Sequence, residues 1–330
     1  LKRILIIQTA FVGDVILATS LVESLNERFP NYSIDFLVKK GNETLLQNNP
    51  KLNLVLLFDK SNKLKSLFEL IKKVRSERYD VIINLHRYTS SGLISFFSRA
   101  TQKFGFSNNP FSFCYTNSFP HEIGAGKHEV ERNLQLISSL GEFSLMKPKL
   151  YLSSSDEDNV LSYKTRTYVC LAPASVWFTK QMPESKWIEL IQILKNGGFH
   201  IYLLGGADDY DLCERIKKRS ENELIENLAG KLSLLESAAL MRDAKWNFVN
   251  DSGPLHLASS VNARVVAFFC STSPNFGFGP LSDVAQIIEV KNLPCKPCGL
   301  HGHKQCPKAH FDCGNLIDLS QLELAESNGG

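Results

Sequence analysis

The sequence predicts an α/β protein built from two doubly wound, mostly parallel-sheet halves, and three observations predict it. At 330 residues the chain is longer than one ordinary core fills, which favours two domains of about 150 residues each. Short apolar runs alternate with longer amphipathic stretches, the pattern of strands that are each followed by a covering helix. The alternation lapses once, at 146–166, where Ser, Asp, Lys and Pro gather, and then starts again.

In the first half, 1–150, the runs at 4–7, 34–38, 54–58 and 81–85 read as strands because each is apolar throughout and bounded by polar or turn residues. Helices are expected over 15–29, 64–75 and 91–98, where apolar residues recur every three or four positions. In the second half, 165–330, strands are expected at 168–172, 200–204, 246–250 and 264–269, with helices at 187–195, 210–220, 234–242 and 254–261. The segment 146–166 is then the interdomain linker. Neither an internal repeat nor a low-complexity tract stands out. Sheets of this kind bind ligands beyond the carboxyl ends of their strands, so a cleft between two facing halves is the expected place for chemistry.

Composition narrows the class. No stretch approaches the ~20 apolar residues of a membrane span, so a soluble protein is expected. Residues 3–8 already read as a buried strand, with no basic region, long apolar run and small-residue cleavage site ahead of it, so export is not expected and the cytoplasm is the expected compartment. Eight cysteines in a chain this long then point to thiols or metal ligands before disulfides. The net charge of +3, spread along the chain without a basic block, gives no reason to expect nucleic acid as a partner.

Five constellations carry candidate chemistry, and four of them fall at strand ends. Phe11-Val12-Gly13-Asp14 follows the first strand. Gly13 permits a tight turn, and Asp14 either faces a substrate hydroxyl as a general base or caps the helix. The absence of G-x-G-x-x-G here counts against a dinucleotide-dependent enzyme. Asn250-Asp251-Ser252-Gly253-Pro254-Leu255-His256 again runs from a strand into a helix. Ser252 is a natural N-cap, Gly253 allows close approach to the backbone, and Pro254 suits the first helical turn, so the positive helix end makes a diphosphate site, with Asp251 also among the expected donor-binding residues. His256 either donates to that phosphate or is a core histidine. Pro173-Ala174-Ser175 through Lys180 offers the Ser175 and Thr179 hydroxyls and a full positive charge to a leaving diphosphate. Gly205-Gly206-Ala207-Asp208-Asp209 ends another strand, where Asp208 or Asp209 bonds a ribose hydroxyl or starts the next helix. The fifth constellation, at 295–313, sets Cys295, Cys298, Cys306 and Cys313 among three histidines. Four thiols suit a structural tetrahedral zinc, the irregular spacing suits reduced or redox-active thiols, and both readings stay open.

Taken together, the order of these motifs resembles glycosyltransferase family nine, the ADP-heptose:lipopolysaccharide heptosyltransferases. The resemblance spans most of the chain and rests on Val12-Gly13-Asp14, Pro173 through Lys180, Leu203-Leu204-Gly205-Gly206, Asn227-Leu228-Ala229-Gly230-Lys231 and, most specifically, Asn250 through Ala258. It implies a GT-B architecture of two Rossmann-like domains, with the acceptor bound by the first and ADP-heptose by the second. It also implies an inverting transfer without a catalytic metal, in which Asp14 is the general base while Lys180, Ser252, Gly253 and His256 stabilise the departing diphosphate. His86, Arg87, His128 and Arg132 resemble acceptor-facing cations that would meet a phosphorylated or acidic inner-core lipopolysaccharide sugar or lipid-linked acceptor, although an ordinary solvated helix face accounts equally for Arg132. Such an enzyme would work at the inner face of the cytoplasmic membrane. Gln8, Ser20 and Met182 depart from the lysine, proline and tryptophan common in the family, and these departures bear on which acceptor is used. A sugar-nucleotide epimerase and a non-catalytic sugar-nucleotide-binding protein share the expected architecture and are the competing readings.

Overall fold

In the computed structural model, which describes residues 2–324, the strands form two six-stranded sheets in which every pairing is parallel. The chain divides into two units, Leu1–Tyr151 and Leu152–Gly330, with one sheet in each.

The first unit runs β1 (Arg3–Gln8), α1 (Val12–Arg28), β2 (Ser33–Lys39), β3 (Leu54–Phe58), α2 (Lys63–Glu77), β4 (Val81–Asn84), α3 (Thr89–Phe97), β5 (Gln102–Phe106), β6 (Asn117–Phe119) and α4 (Glu129–Gln135). Its strand order is β3-β2-β1-β4-β5-β6. The central strand β1 is apolar on both sides, and Ile4 through Ile7 are fully buried because helices cover both faces. α2 and α3 pack together on the face that carries Leu5, Ile7, Leu37, Phe58 and Ile82, while α1 packs with α4.

The second unit runs α5 (Ser154–Asp158), β7 (Tyr168–Ala172), α6 (Glu184–Lys195), β8 (His200–Leu203), α7 (Tyr210–Arg219), β9 (Ile225–Asn227), α8 (Leu234–Asp243), β10 (Asn247–Asn250), α9 (Gly253–Ser260), β11 (Val265–Phe269), β12 (Ala285–Glu289) and α10 (Asp312–Asn315). Its order, β12-β11-β10-β7-β8-β9, is the first sheet's order repeated. In each unit the strand sequence therefore reverses direction once, between β1 and β4 and between β7 and β10. Those reversals open a crevice at the carboxyl ends of the two strands. Trp187 of α6 stands edge-on to Phe268 of β11, with ring centroids 5.5 Å apart, at the heart of the second core.

Two expectations need correction. Segment 146–166 is not an irregular linker throughout. Ser153 caps α5 with Asp156 completing the capping box, and Glu157 and Asn159 bond Arg242 and Glu236 of α8 at 2.8 and 2.6 Å. Packing on α8 makes this helix part of the second unit, which starts at Leu152 and not at 165. Strands β5, β6, β9 and β12 were also not anticipated, since they are short and half polar. β6, β9 and β12 lie at sheet edges where only one side needs an apolar partner. Residue 1 and residues 325–330, which the sequence reading placed at the two ends of the domains, lie outside the described residues.

Candidate active site

In the first unit, the switch point lies between the ends of β1 and β4. The loop after β1 enters α1 at Phe11, so Gly13 and Asp14 occupy its first turn. Asp14 is at the third helical position, where its Oδ2 accepts the Phe11 N–H at 3.2 Å. It thus assists the helix start from inside, the capping role of the two that the sequence left open.

Beyond β4, His86 is buried and its Nδ1 lies 3.0 Å from Thr9 Oγ1 at the end of β1. Burial, with the positive charges of Lys60 and Arg87 close by, pushes its imidazole down to about 4. His86 is therefore a neutral ring near pH 7, a correction to its expected role as a cation. The positive charge here comes from Arg87 and from Lys60, whose Nζ donates to Thr9 O at 2.8 Å. Burial lowers the Lys60 pKa, with Lys39 and Lys63 adding to the effect. Lys60 is not among the residues expected at the site, although its place just past β3 is a signal for it.

His128 and Arg132 belong to α4. His128 is the N-cap, and its ring Nδ1 accepts the Val130 N–H at 3.3 Å. Arg132 is neither on a solvated face nor presented as a surface cation. At 2% exposure its Nε donates to Glu129 at 2.8 Å and its Nη1 to the Lys127 carbonyl at 2.5 Å. His121 Nε2 also lies 3.0 Å from Glu129, and burial, which raises the Glu129 pKa, is outweighed by His121 and Arg132, which lower it.

In the second unit the switch point gathers more of the expected residues. The loop after β7 carries Ser175 and ends in a short 3₁₀ turn, Phe178–Lys180. Lys180 Nζ lies 2.7 Å from Asp251 Oδ2, with side-chain exposures of 16% and 7%, and Thr272 Oγ1 donates to the same oxygen at 2.6 Å. Asp251 therefore holds the lysine in place, a contact that adds to the donor-site position expected of it. Asn250 ties the loop down from both ends, accepting from Met182 N at 2.9 Å and donating to Pro173 O at 2.8 Å.

Ser252 is the N-cap residue of α9 but does not cap it: its hydroxyl turns back to Asn250 O at 3.4 Å. Gly253 and Pro254 form the uncapped first turn beside Lys180 and Asp251, an arrangement suited to an anion. His256 is buried in α9. Thr179 is 1% exposed, and its hydroxyl accepts from Ser271 Oγ at 2.9 Å and His303 N at 2.8 Å. Ser175 is half-buried, with its carbonyl accepting from Gln181 Nε2 at 2.6 Å. At the end of β8, Asp209 accepts the Gly206 N–H at 2.8 Å and so starts the next helix, whereas Asp208 is exposed.

The cysteine-rich segment braces this site. His303 and Thr179 exchange backbone contacts, and Gly302, at φ +76°, lies so close that a β-carbon would meet Lys180 Cγ at 2.9 Å. Lys296 Nζ anchors the segment to Phe269 O and Glu289, both at 2.8 Å. The thiols have different surroundings. Cys298 Sγ donates to Cys295 O, Cys295 Sγ faces His310 Nε2 at 3.8 Å, and Cys313 is drawn into the core, where burial pushes it up to about 11. Among the described residues, no three His, Cys, Asp or Glu side chains are grouped as a metal ion requires.

Comparison with known proteins adds a second line. The family model described as glycosyltransferase family 9 (heptosyltransferase) matches residues 67–310. The chain is 28% identical to lipooligosaccharide heptosyltransferase 2 of Haemophilus influenzae, over 87% of this chain and 88% of that protein. It is 26% identical to lipopolysaccharide heptosyltransferase 2 of Salmonella typhimurium, over 98% and 97%. The solved structure of Escherichia coli ADP-heptose lps heptosyltransferase II superposes with a TM-score of 0.76 at 23% identity, covering 95% of this chain and 98% of that one. The pair of sheets is therefore that of the GT-B fold.

Proposed function

The chain belongs to glycosyltransferase family 9 (heptosyltransferase), and from that premise we propose that it moves heptose from ADP-heptose to an inner-core sugar of lipopolysaccharide, or of its lipid-linked precursor, with inversion at the anomeric carbon. Membership makes it a glycosyltransferase, which sets aside the epimerase and the non-catalytic binding protein. The observation that carries the finer reading is the Lys180–Asp251 pair beside the uncapped start of α9.

In this reading the ADP diphosphate lies against Lys180 and the N–H groups of the first turn of α9. Charge building on the leaving oxygen is met by a fixed ammonium and a helix end, a task that other enzymes give to a divalent ion. Asp14 takes the proton from the acceptor hydroxyl as that oxygen bonds to the anomeric carbon and the carbon–oxygen bond to ADP breaks on the opposite side. Arg87 and Lys60 supply positive charge for an acidic acceptor, while the neutral His86 offers a hydrogen bond. The reaction is placed in the cytoplasm, against the inner face of the membrane that carries the acceptor. Among the described residues no helix is long and apolar enough to cross that membrane.

Mass spectrometry of a reaction with ADP-heptose, truncated lipopolysaccharide and EDTA tests the whole reading. The expected product is the acceptor plus one heptose. Donor turnover without acceptor modification, or a requirement for magnesium, would overturn it.

A further inference from the structure

The positive charge is not spread as evenly as the composition suggested, which corrects that expectation. Residues 60–103 hold ten Lys and Arg against three Asp and Glu, a net of +7 where the whole chain carries +3. Of the three acids, Glu77 pairs with Arg3 at 2.6 Å and Asp80 accepts the Arg3 N–H at 2.8 Å, leaving Glu69 on the helix surface.

Helix α2 turns Ser66, Leu70 and Val74 to the core. Its other side carries Leu64, Phe68, Lys72 and Arg75 in one stripe at helical spacing, all exposed, with Leu64 and Phe68 at 80% and 79%. Two large apolar groups this bare are not needed for folding. The stripe continues onto α3: Arg75 Nη1 donates to Phe97 O at 3.1 Å, and Phe96 and Phe97 are exposed there. Phe96 lies 5.8 Å from the ring of Phe113, which is 73% exposed. Cations flank the aromatic cluster, since Lys103 Nζ bonds Phe96 O at 3.3 Å, and a hollow beside it is lined by Lys72, Arg75, Ser76, Arg78 and Arg99. No carboxylate lines that hollow.

Bulky apolar side chains projecting from a strongly basic surface match a bilayer with anionic headgroups: the rings and Leu64 enter the acyl boundary while Lys and Arg meet phosphate. We propose that the outer face of α2 with the end of α3 and Phe113 docks on an anionic phospholipid bilayer. This names the surface for the membrane contact in the proposed function and rests on that reading only for its biological setting.

Flotation with phosphatidylglycerol–phosphatidylcholine vesicles tests it. The wild type is expected to bind these vesicles at low salt, to release at high salt, and to ignore pure phosphatidylcholine. Leu64→Ser/Phe68→Ser and, separately, Lys72→Glu/Arg75→Glu are each expected to lower partitioning by about tenfold or more. Both should keep the circular dichroism spectrum and thermal midpoint of the wild type, and its transfer rate on a delipidated, water-soluble acceptor. That last measurement separates the two ideas, because a wild type that binds vesicles but transfers no heptose sinks the proposed function and leaves the docking surface standing. Failure of the wild type to bind anionic vesicles overturns the docking surface, as does undiminished binding by both variants. A wild-type dimer that Leu64→Ser/Phe68→Ser dissociates, without vesicle binding, also overturns it in favour of a second copy of the chain.

Discussion

Replacing Asp14 with Asn separates a base from a helix cap, because the two roles differ widely in energy. In the structure, Oδ2 of Asp14 accepts the backbone N–H of Phe11 at 3.2 Å from the first turn of α1. Asparagine keeps an acceptor there, and the interaction of a negative charge with the helix N-terminus that it gives up is worth about 0.3–1 kcal/mol. For a unit the size of Leu1–Tyr151 this lowers the melting temperature by no more than about 2–4 °C. Loss of a general base costs about a hundredfold to ten-thousandfold in rate, or about 3–5 kcal/mol in the transition state. The expected result is thus a folded protein that binds ADP normally, by calorimetric titration, and transfers heptose at least a hundredfold more slowly. Transfer by Asp14→Asn within about threefold of the wild-type rate would refute the reasoning and reduce Asp14 to a capping residue.

Three further outcomes follow from the same geometry. Lys180→Ala should weaken ADP binding by about tenfold or more and also lower the thermal midpoint, since Asp251 is left mostly buried without its cation; adding Asp251→Asn should restore the midpoint but not the binding. His86 titrates near 6.5 when unfolded and near 4 when folded, so its full stability is present above pH 6.5 and is lost as the pH falls from there to 4, by about 3 kcal/mol; urea midpoints across this range should fall less steeply in His86→Gln. Gly302→Ala places a β-carbon 2.9 Å from Lys180 Cγ at a left-handed backbone position, and titration should show weaker ADP binding while the first unit keeps its stability.

Much of the site was legible because its motifs are local. A strand end, a turn glycine and a helix start are contiguous in sequence, so Val12-Gly13-Asp14 and Asp251-Ser252-Gly253 announce themselves without a partner. Side-chain roles were less legible. Asp251 is expected at the donor site from its motif, but its contacts with Lys180, 71 positions earlier, and with Thr272 are visible only in the structure. Thr179 reads as an available hydroxyl until Ser271 and His303 close over it. Lys60 and Arg132 exchanged expectations for the same reason: exposure depends on what packs alongside, which sequence spacing does not record.

By itself the sequence determined the alternation of strands and helices, because a buried parallel strand must be apolar throughout and a covering helix on one side only. It also determined the family, through motifs whose order survives when most other residues change. What the tertiary structure decided was the pairing of strands. The identical order of the two sheets is invisible in a chain without internal sequence repeat, since backbone hydrogen bonds define it and any apolar sequence satisfies them. The same holds for charge: His86 became neutral and Asp251 became a brace only once folding fixed which groups lose water and which neighbours they meet.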